Sequence, residues 1–273
     1  AGLGPFFLTD GPVERQAVTA SPTTSAAAAT ASDAPTRLPR HIAVIMDGNG
    51  RWAQAQGQSR LIGHAAGAER AKELTERCGT LGIEVLTLYS FSVENWNRPA
   101  DEVAGLMELA AFQLAAEREA LAASNVRFRH LGSREGLPQR VLDELDATER
   151  RTGSCTGLTL CLALNYGSRS EIVAAVRSIA ERVQAGTLAT SSIDETVISD
   201  SLYTAGLPDP DLVIRTAGES RVSNYLLWQI SYAELHVTST LWPDFDAAAL
   251  DRALSDYAGR TRKWGRLAGQ EGT

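Results

Sequence analysis

Along this chain, short runs that are apolar at nearly every position alternate with longer stretches whose apolar residues recur at helical spacing. Residues 42–46, 83–89, 158–164 and 212–214 are runs of the first kind and predict strands buried on both faces. Asn125 to Leu131 and Glu234 to Thr238 predict two more. Between them, the segment from about 101 to 123 carries Val103, Leu106, Met107, Ala110, Leu114 and Leu121 on one helical face. Pro138 to Arg151 turns Val141, Leu142 and Leu145 inward, and a further helix runs through Ile172, Val173, Val176 and Ile179. Helices are also expected over about 65–80, Asp194 to Tyr203 and Ala247 to Lys263, with a helical turn over Tyr225 to Tyr232. Regular strand–helix alternation predicts a single-domain α/β fold, a mostly parallel central sheet flanked by helices.

Residues 1–36 break this pattern. Ala, Thr, Ser and Pro dominate, and Phe6-Phe7-Leu8 is too short for a signal-peptide core and follows no basic region. This segment is expected to be a disordered leader, with the folded domain spanning 37–273. The chain of 273 residues is 44% hydrophobic and 22% charged, ordinary for one α/β domain. Its net charge of −7 excludes a dedicated nucleic-acid binder. An anionic ligand therefore needs a local basic cluster. Cys78, Cys155 and Cys161 lack metal-ligand spacing and fit reduced, structural thiols of a cytoplasmic protein. No apolar run approaches the ~20 residues of a membrane helix, so a lipid would be met by a soluble or peripherally membrane-associated protein.

The chemistry concentrates where strands end. The run Ile42–Met46 stops at Asp47, followed by Gly48-Asn49-Gly50 and a helix-forming stretch beginning Arg51-Trp52-Ala53. Strand, glycine turn and helix start make an anion cradle of backbone N–H groups. Arg51 adds a forked cation, and Asp47 beside such a cradle is placed to hold Mg²⁺. A plain strand–helix turn with a solvated Asp has the same local signature, so both readings stay open. After Leu212-Val213-Ile214, a glycine-containing loop offers Arg215, Arg221 and Ser223. Two guanidiniums and a hydroxyl match a diphosphate, whereas a lone Arg would more often be a surface ion pair.

Four stretches carry a family resemblance: His41-Ile-Ala-Val-Ile-Met-Asp-Gly-Asn-Gly-Arg-Trp-Ala53, Leu88 to Pro99 with Ser92, Glu94-Asn95-Trp96-Asn97-Arg98, Asn165-Tyr-Gly-Ser-Arg169, and Asp211 to Gln229 continuing to Glu234 and Trp242-Pro243-Asp244-Phe245. Together they resemble the signatures of the cis-prenyltransferases, the undecaprenyl diphosphate synthase family, from about His41 to Gly265. The resemblance implies a Mg²⁺-dependent transferase with a hydrophobic substrate tunnel, lined by helix 101–123 and strands 83–89 and 158–164. It would condense an allylic prenyl diphosphate with isopentenyl diphosphate into a cis-polyprenyl diphosphate. Gly48, Asn49, Gly50, Arg51, Trp52, Arg60 and Arg98 would hold the allylic substrate, and Arg215, Arg221 and Ser223 isopentenyl diphosphate. Asp47 and Glu234 would bind the metal. His64, Ser92 and Asn95 would position or relay a proton, and Trp96 would shape the pocket wall. Judged singly, His64 fits a structural histidine, Glu234 an edge-strand charge and Trp96 core packing.

The resemblance also implies a homodimer joined through Tyr232 to Trp242, with basic residues near Lys263 reaching the neighbour. The chain departs from the family pattern at Ser90, Ser168, Ala217 and His236-Val237, and in its Lys263-Trp264-Gly265 ending. Some relatives join two allylic diphosphates head-to-middle into lavandulyl-type skeletons, which is the alternative activity. A non-catalytic partner subunit is a third possibility, but such subunits lose the Asp-Gly-Asn-Gly-Arg signature that is intact here.

Overall fold

The computed structural model describes residues 37–260. The expected leader, and Lys263 to Gly265, lie outside the described residues. Six strands form one parallel sheet: β1 (His41–Ile45), β2 (Val85–Ser92), β3 (Arg127–Leu131), β4 (Thr159–Tyr166), β5 (Leu212–Arg215) and β6 (Glu234–Val237). Their spatial order is β3-β4-β2-β1-β5-β6, so the chain reverses its direction of growth at β1, between β2 and β5. In open α/β sheets that switch point, at the carboxyl ends of the strands, is where a ligand crevice opens.

The sheet is covered on both faces, which explains its apolar strands. Alternation sends Ile42 and Val44 to one face and Ala43 and Ile45 to the other. The larger core joins the first face to α2 (Arg60–Leu81), α3 (Ala100–Ala123), α4 (Gln139–Thr152) and α7 (Ala247–Ala258). The other face lies beneath Tyr225, Leu226, Leu207 and Ile230, the side that also carries α5 (Ser168–Gln184) and α6 (Glu195–Ser199). All three cysteines are free and buried. Burial pushes the Cys78 and Cys161 thiols up to about 12, which makes them inert.

Several elements differ from expectation. The helix expected from about 65 begins at Arg60, and that expected over Asp194 to Tyr203 is only Glu195–Ser199, with Asp194 capping Val197 N–H. The last helix ends at Ala258. The expected helical turn within Tyr225 to Tyr232 is present, Ile230 N–H donating to Leu226 O at 2.9 Å, but no longer helix forms there, and Leu226, like Ser223 and Asn224 before it, adopts positive φ.

Candidate active site

Asp47 stands just past β1, and three bonds fix its backbone. Its N–H donates to Ile45 O (3.0 Å), and its carbonyl accepts from Trp242 N–H (3.0 Å) and Thr216 Oγ1 (2.6 Å). Gly48 then turns at φ 110°, and a side chain there would also strike Leu241. Helix α1 (Asn49–Ala55) follows, crossed so closely by α2 that a Cβ on Gly63 would lie 2.0 Å from Asn49 O. This crossing brings the Arg60 guanidinium over Gly50 and His64 beside Asn49.

The loop after β5 meets this turn. The buried Arg215 donates to Asp47 Oδ2 (2.9 Å), Ser223 Oγ (2.8 Å) and Arg221 O (2.5 Å). Arg51 pairs with Asp47 Oδ1 at 3.3 Å and donates to Ala217 O. Burial pushes the Asp47 carboxyl up, but the two guanidiniums prevail and hold it below the usual carboxylate value. Ala217, where the family commonly has glycine or serine, sits at φ 70°, and its N–H donates to Thr240 O at 2.8 Å. Ser168 replaces a glycine and uses its hydroxyl to accept from Leu227 N–H at 2.9 Å. Asn224 ties three motifs together, donating to Glu94 and accepting from Arg169 N–H.

Between α2, α3 and strands β2–β4 lies a cavity of about 1080 Å³. Asp47, Asn49, His64, Ser92, Asn95, Arg98, Arg215, Arg221 and Ser223 line it, so the structure brings these predicted residues together. Its remaining walls are largely apolar, with Leu88, Phe91, Met107, Leu114, Phe128 and Leu164 among them. His64 is held neutral, at about 4, by burial first and then by Arg98 and Arg60. His64 Nε2, Asn49 Oδ1 and Arg215 Nε are buried without a hydrogen-bond partner. Unpaired buried polar atoms are costly, and here all three belong to residues that line one cavity.

Other predicted residues fall elsewhere. Glu234 begins β6, opposite Leu212 in register, while Asp47 follows the far end of β1. Glu234 pairs with Arg260 at 3.0 Å, so within the chain Asp47 and Glu234 do not form a metal pair. Trp52 donates to Asp244 (2.8 Å) and Trp96 to Asn165 (2.8 Å), and neither lines the cavity. Asn95 Oδ1 accepts from Ser92 N–H at 3.1 Å, which occupies it in shaping the turn. One participant was missed: Glu102, which takes Arg60 (3.2 Å) and Arg98 (3.1 Å). Its position four residues after Arg98 was the available signal.

The family model described as "Putative undecaprenyl diphosphate synthase" matches residues 45–265. The chain belongs to this family. An isoprenyl transferase of Geobacter sulfurreducens is 47% identical over 239 residues, covering 88% of this chain and 97% of that protein. The ditrans,polycis-undecaprenyl-diphosphate synthase ((2E,6E)-farnesyl-diphosphate specific) of Escherichia coli K12 is 49% identical over 226 residues, covering 83% and 89%. The crystal structure of lavandulyl diphosphate synthase from Lavandula x intermedia, in complex with dimethylallyl diphosphate, superimposes with a TM-score of 0.82 at 36% identity, covering 84% and 99%. This cis-prenyltransferase is therefore a transferase of prenyl groups.

Proposed function

We propose that this cis-prenyltransferase condenses an allylic prenyl diphosphate with isopentenyl diphosphate, forming a cis-polyprenyl diphosphate and releasing diphosphate. The observation that carries this is one cavity, cationic and hydrogen-bonding at one end and largely apolar through the rest. Arg98 and Arg60, with the Gly48–Gly50 turn and Arg51, hold the allylic diphosphate. Arg215, Arg221 and Ser223 hold the second one. Charge gathering on the departing diphosphate meets the guanidiniums of Arg98, Arg60 and Arg51. The second double bond attacks the allylic carbon, and a proton then leaves C2 of the incoming unit. His64, Ser92 and Asn95 position or relay that proton, and a diphosphate oxygen is its acceptor.

Magnesium fits this donor set as an ion carried by the substrate. Mg²⁺ is commonly bound through one or two carboxylates plus substrate phosphates. Asp47 supplies one carboxylate beside the groups that face a diphosphate, while no cluster of three His, Cys, Asp or Glu able to cage a metal exists among the described residues. Asp47 would hold the ion once Arg215 and Arg51 turn to the diphosphates. When bound, it would neutralise charge on the leaving group.

Head-to-middle coupling is the second reading, supported by the likeness to lavandulyl diphosphate synthase. The higher identity to the undecaprenyl diphosphate synthase favours chain elongation. Mass analysis of products from a panel of allylic diphosphates, with and without labelled isopentenyl diphosphate, decides between them. Product made without isopentenyl diphosphate would overturn the first.

The proposal includes a homodimer. β6 is a sheet edge, and Tyr232, Leu235 and Val237 expose apolar surface on and beside it. Sedimentation at micromolar concentration should give a dimer, and a fully active monomer would refute this. A cytoplasmic enzyme delivering a long hydrocarbon would also visit the membrane surface. Among the described residues, no helix is long and apolar enough to cross a membrane.

A further inference from the structure

We infer that an ion pair between Lys72 and Glu117 closes the seam between α2 and α3 and determines how far the prenyl tail grows before enclosure ends. The inference rests on the proposed chain-elongating activity. Helices α2 and α3 both start at the cationic end of the cavity, where Arg60 and Glu102 join them at 3.2 Å. They meet again where Lys72 Nζ lies 3.2 Å from Glu117 Oε1. At a rise of about 1.5 Å per residue, the second bridge is roughly 18 Å along α2 and 22 Å along α3 from the first. Lys72 and Glu117 both line the cavity. Between the bridges, the two helices face it mainly with small or apolar residues, Ala68, Ala71, Leu106 and Ala110 among them. Around and beyond the second bridge the helices add Glu76, Thr80 and Gln113, while Ala120, Leu121 and Val126 continue the apolar wall.

Each helix is otherwise anchored away from the seam. Arg77 of α2 pairs with Asp251 of α7, and Arg118 of α3 pairs with Glu144 of α4. The Lys72–Glu117 pair therefore ties together two helices that other ion pairs anchor to different neighbours, α7 and α4. Its side chains keep 41% and 25% of their accessible surface, so the charges stay partly hydrated. A hydrocarbon tail that grows along the α2–α3 side of the cavity meets the pair and must turn aside or press against it. Pressing strips water from both charges and gives no hydrogen bond in return, which opposes further growth.

The test measures product length by mass spectrometry after hydrolysis of the diphosphate, for the purified full chain. Glu117→Lys puts two cations across the seam and should open it, shifting products longer by at least one isoprene unit. The swap Lys72→Glu with Glu117→Lys restores the pair and should restore the parental lengths. The first condensation should keep its rate in both, since neither residue touches the diphosphate end. If Glu117→Lys fails to fold, Glu117→Ala should lengthen products in its place. Unchanged lengths in every folded variant, or a shift that the swap does not reverse, would overturn the inference alone. A parent chain that makes no polyprenyl product would overturn the proposed activity and this inference with it.

Discussion

Asp47 and Glu171 are two carboxylates drawn into the same domain and treated in opposite ways. Asp47 borders the cavity between two guanidiniums, and its carboxyl is held below the ordinary value. Glu171 is 1% exposed and has no ion-pair partner among the described residues. Its oxygens accept from Tyr166 OH (2.5 Å), Tyr203 N–H (2.9 Å) and Gln229 Nε2 (3.2 Å). Burial pushes its carboxyl up against those donors. Arg215, which holds Asp47, keeps its buried Nε free in the cavity's polar end, as His64 keeps Nε2 and Asn49 keeps Oδ1. Around Glu171 the donors close on the carboxylate. The first arrangement is incomplete until a ligand arrives, and the second is complete by itself.

The comparison breaks hardest at Asp47. Asp47→Asn keeps size and the fixed backbone bonds but removes the charge that would hold Mg²⁺. Turnover should fall by about a thousandfold or more. The fold should survive, because Trp242 N–H and Thr216 still hold the residue-47 carbonyl. Binding of an unreactive allylic analogue should persist or tighten, since Arg215 and Arg51 lose their internal counter-ion. Turnover across a Mg²⁺ titration, with calorimetry of the analogue, checks both halves. Near-normal turnover and Mg²⁺ dependence would remove Asp47 from the chemistry.

Glu171→Ala should do the reverse, lowering stability while sparing the site. It strands buried donors from Tyr166, Tyr203 and Gln229, worth together about 2–4 kcal/mol. Chemical denaturation measures this, with the Michaelis constants of the folded fraction unchanged. Arg215→Ala falls next. It removes charge-assisted bonds worth roughly 1.5–3 kcal/mol, so the Michaelis constant for isopentenyl diphosphate should rise about ten- to a hundredfold, and that for the allylic substrate less. Arg221, exposed and paired with Glu219, should show the smaller effect of the two. Equal rises for both substrates would show that Arg215 does not define one site.

What was legible in the sequence follows from range. Strands such as Ile42–Ile45, buried on both faces, announce themselves through an unbroken apolar run. The Asp47 turn is also local, since Gly48 and the start of α1 lie within a few residues. The Arg215 loop was legible as a cluster, but its bond to Asp47 spans 168 residues and needed the β1–β5 register. Glu234 could not be placed from its residue type, which says nothing about which end of a strand faces the crevice. Trp52 and Trp96 could not be placed either, because nothing local to them shows that their indole N–H groups meet Asp244 and Asn165. The Glu171 cluster left no trace, as Tyr, Gln and Glu scattered over three segments carry no pattern until the fold collects them.

The smallest effect is the most discriminating for Glu171 itself, because hydrogen bonds and burial pull its proton affinity in opposite directions. If burial prevails, the folded state binds the proton more tightly than the unfolded chain does. The stability contributed by Glu171 is then complete below its ordinary value of 4.5 and is lost as pH rises through the higher folded value. Asp47 runs the other way, contributing above its ordinary 3.8 and losing that contribution as pH falls through its lowered folded value. Glu171→Gln removes the first titration and leaves the second. A flip of the Gln229 amide would offer the new N–H groups its Oε1, unpaired in the parent, and the new side-chain oxygen can still serve Tyr203 N–H. Melting temperatures of parent and variant, measured in parallel from pH 4 to 8, should therefore diverge in the variant's favour as pH rises. A flat difference would mean that Glu171 titrates alike in the folded and unfolded chains. A difference moving toward the parent would mean that the donors of Tyr166, Tyr203 and Gln229 outweigh burial, making Glu171 a hydrogen-bonded anion in the core.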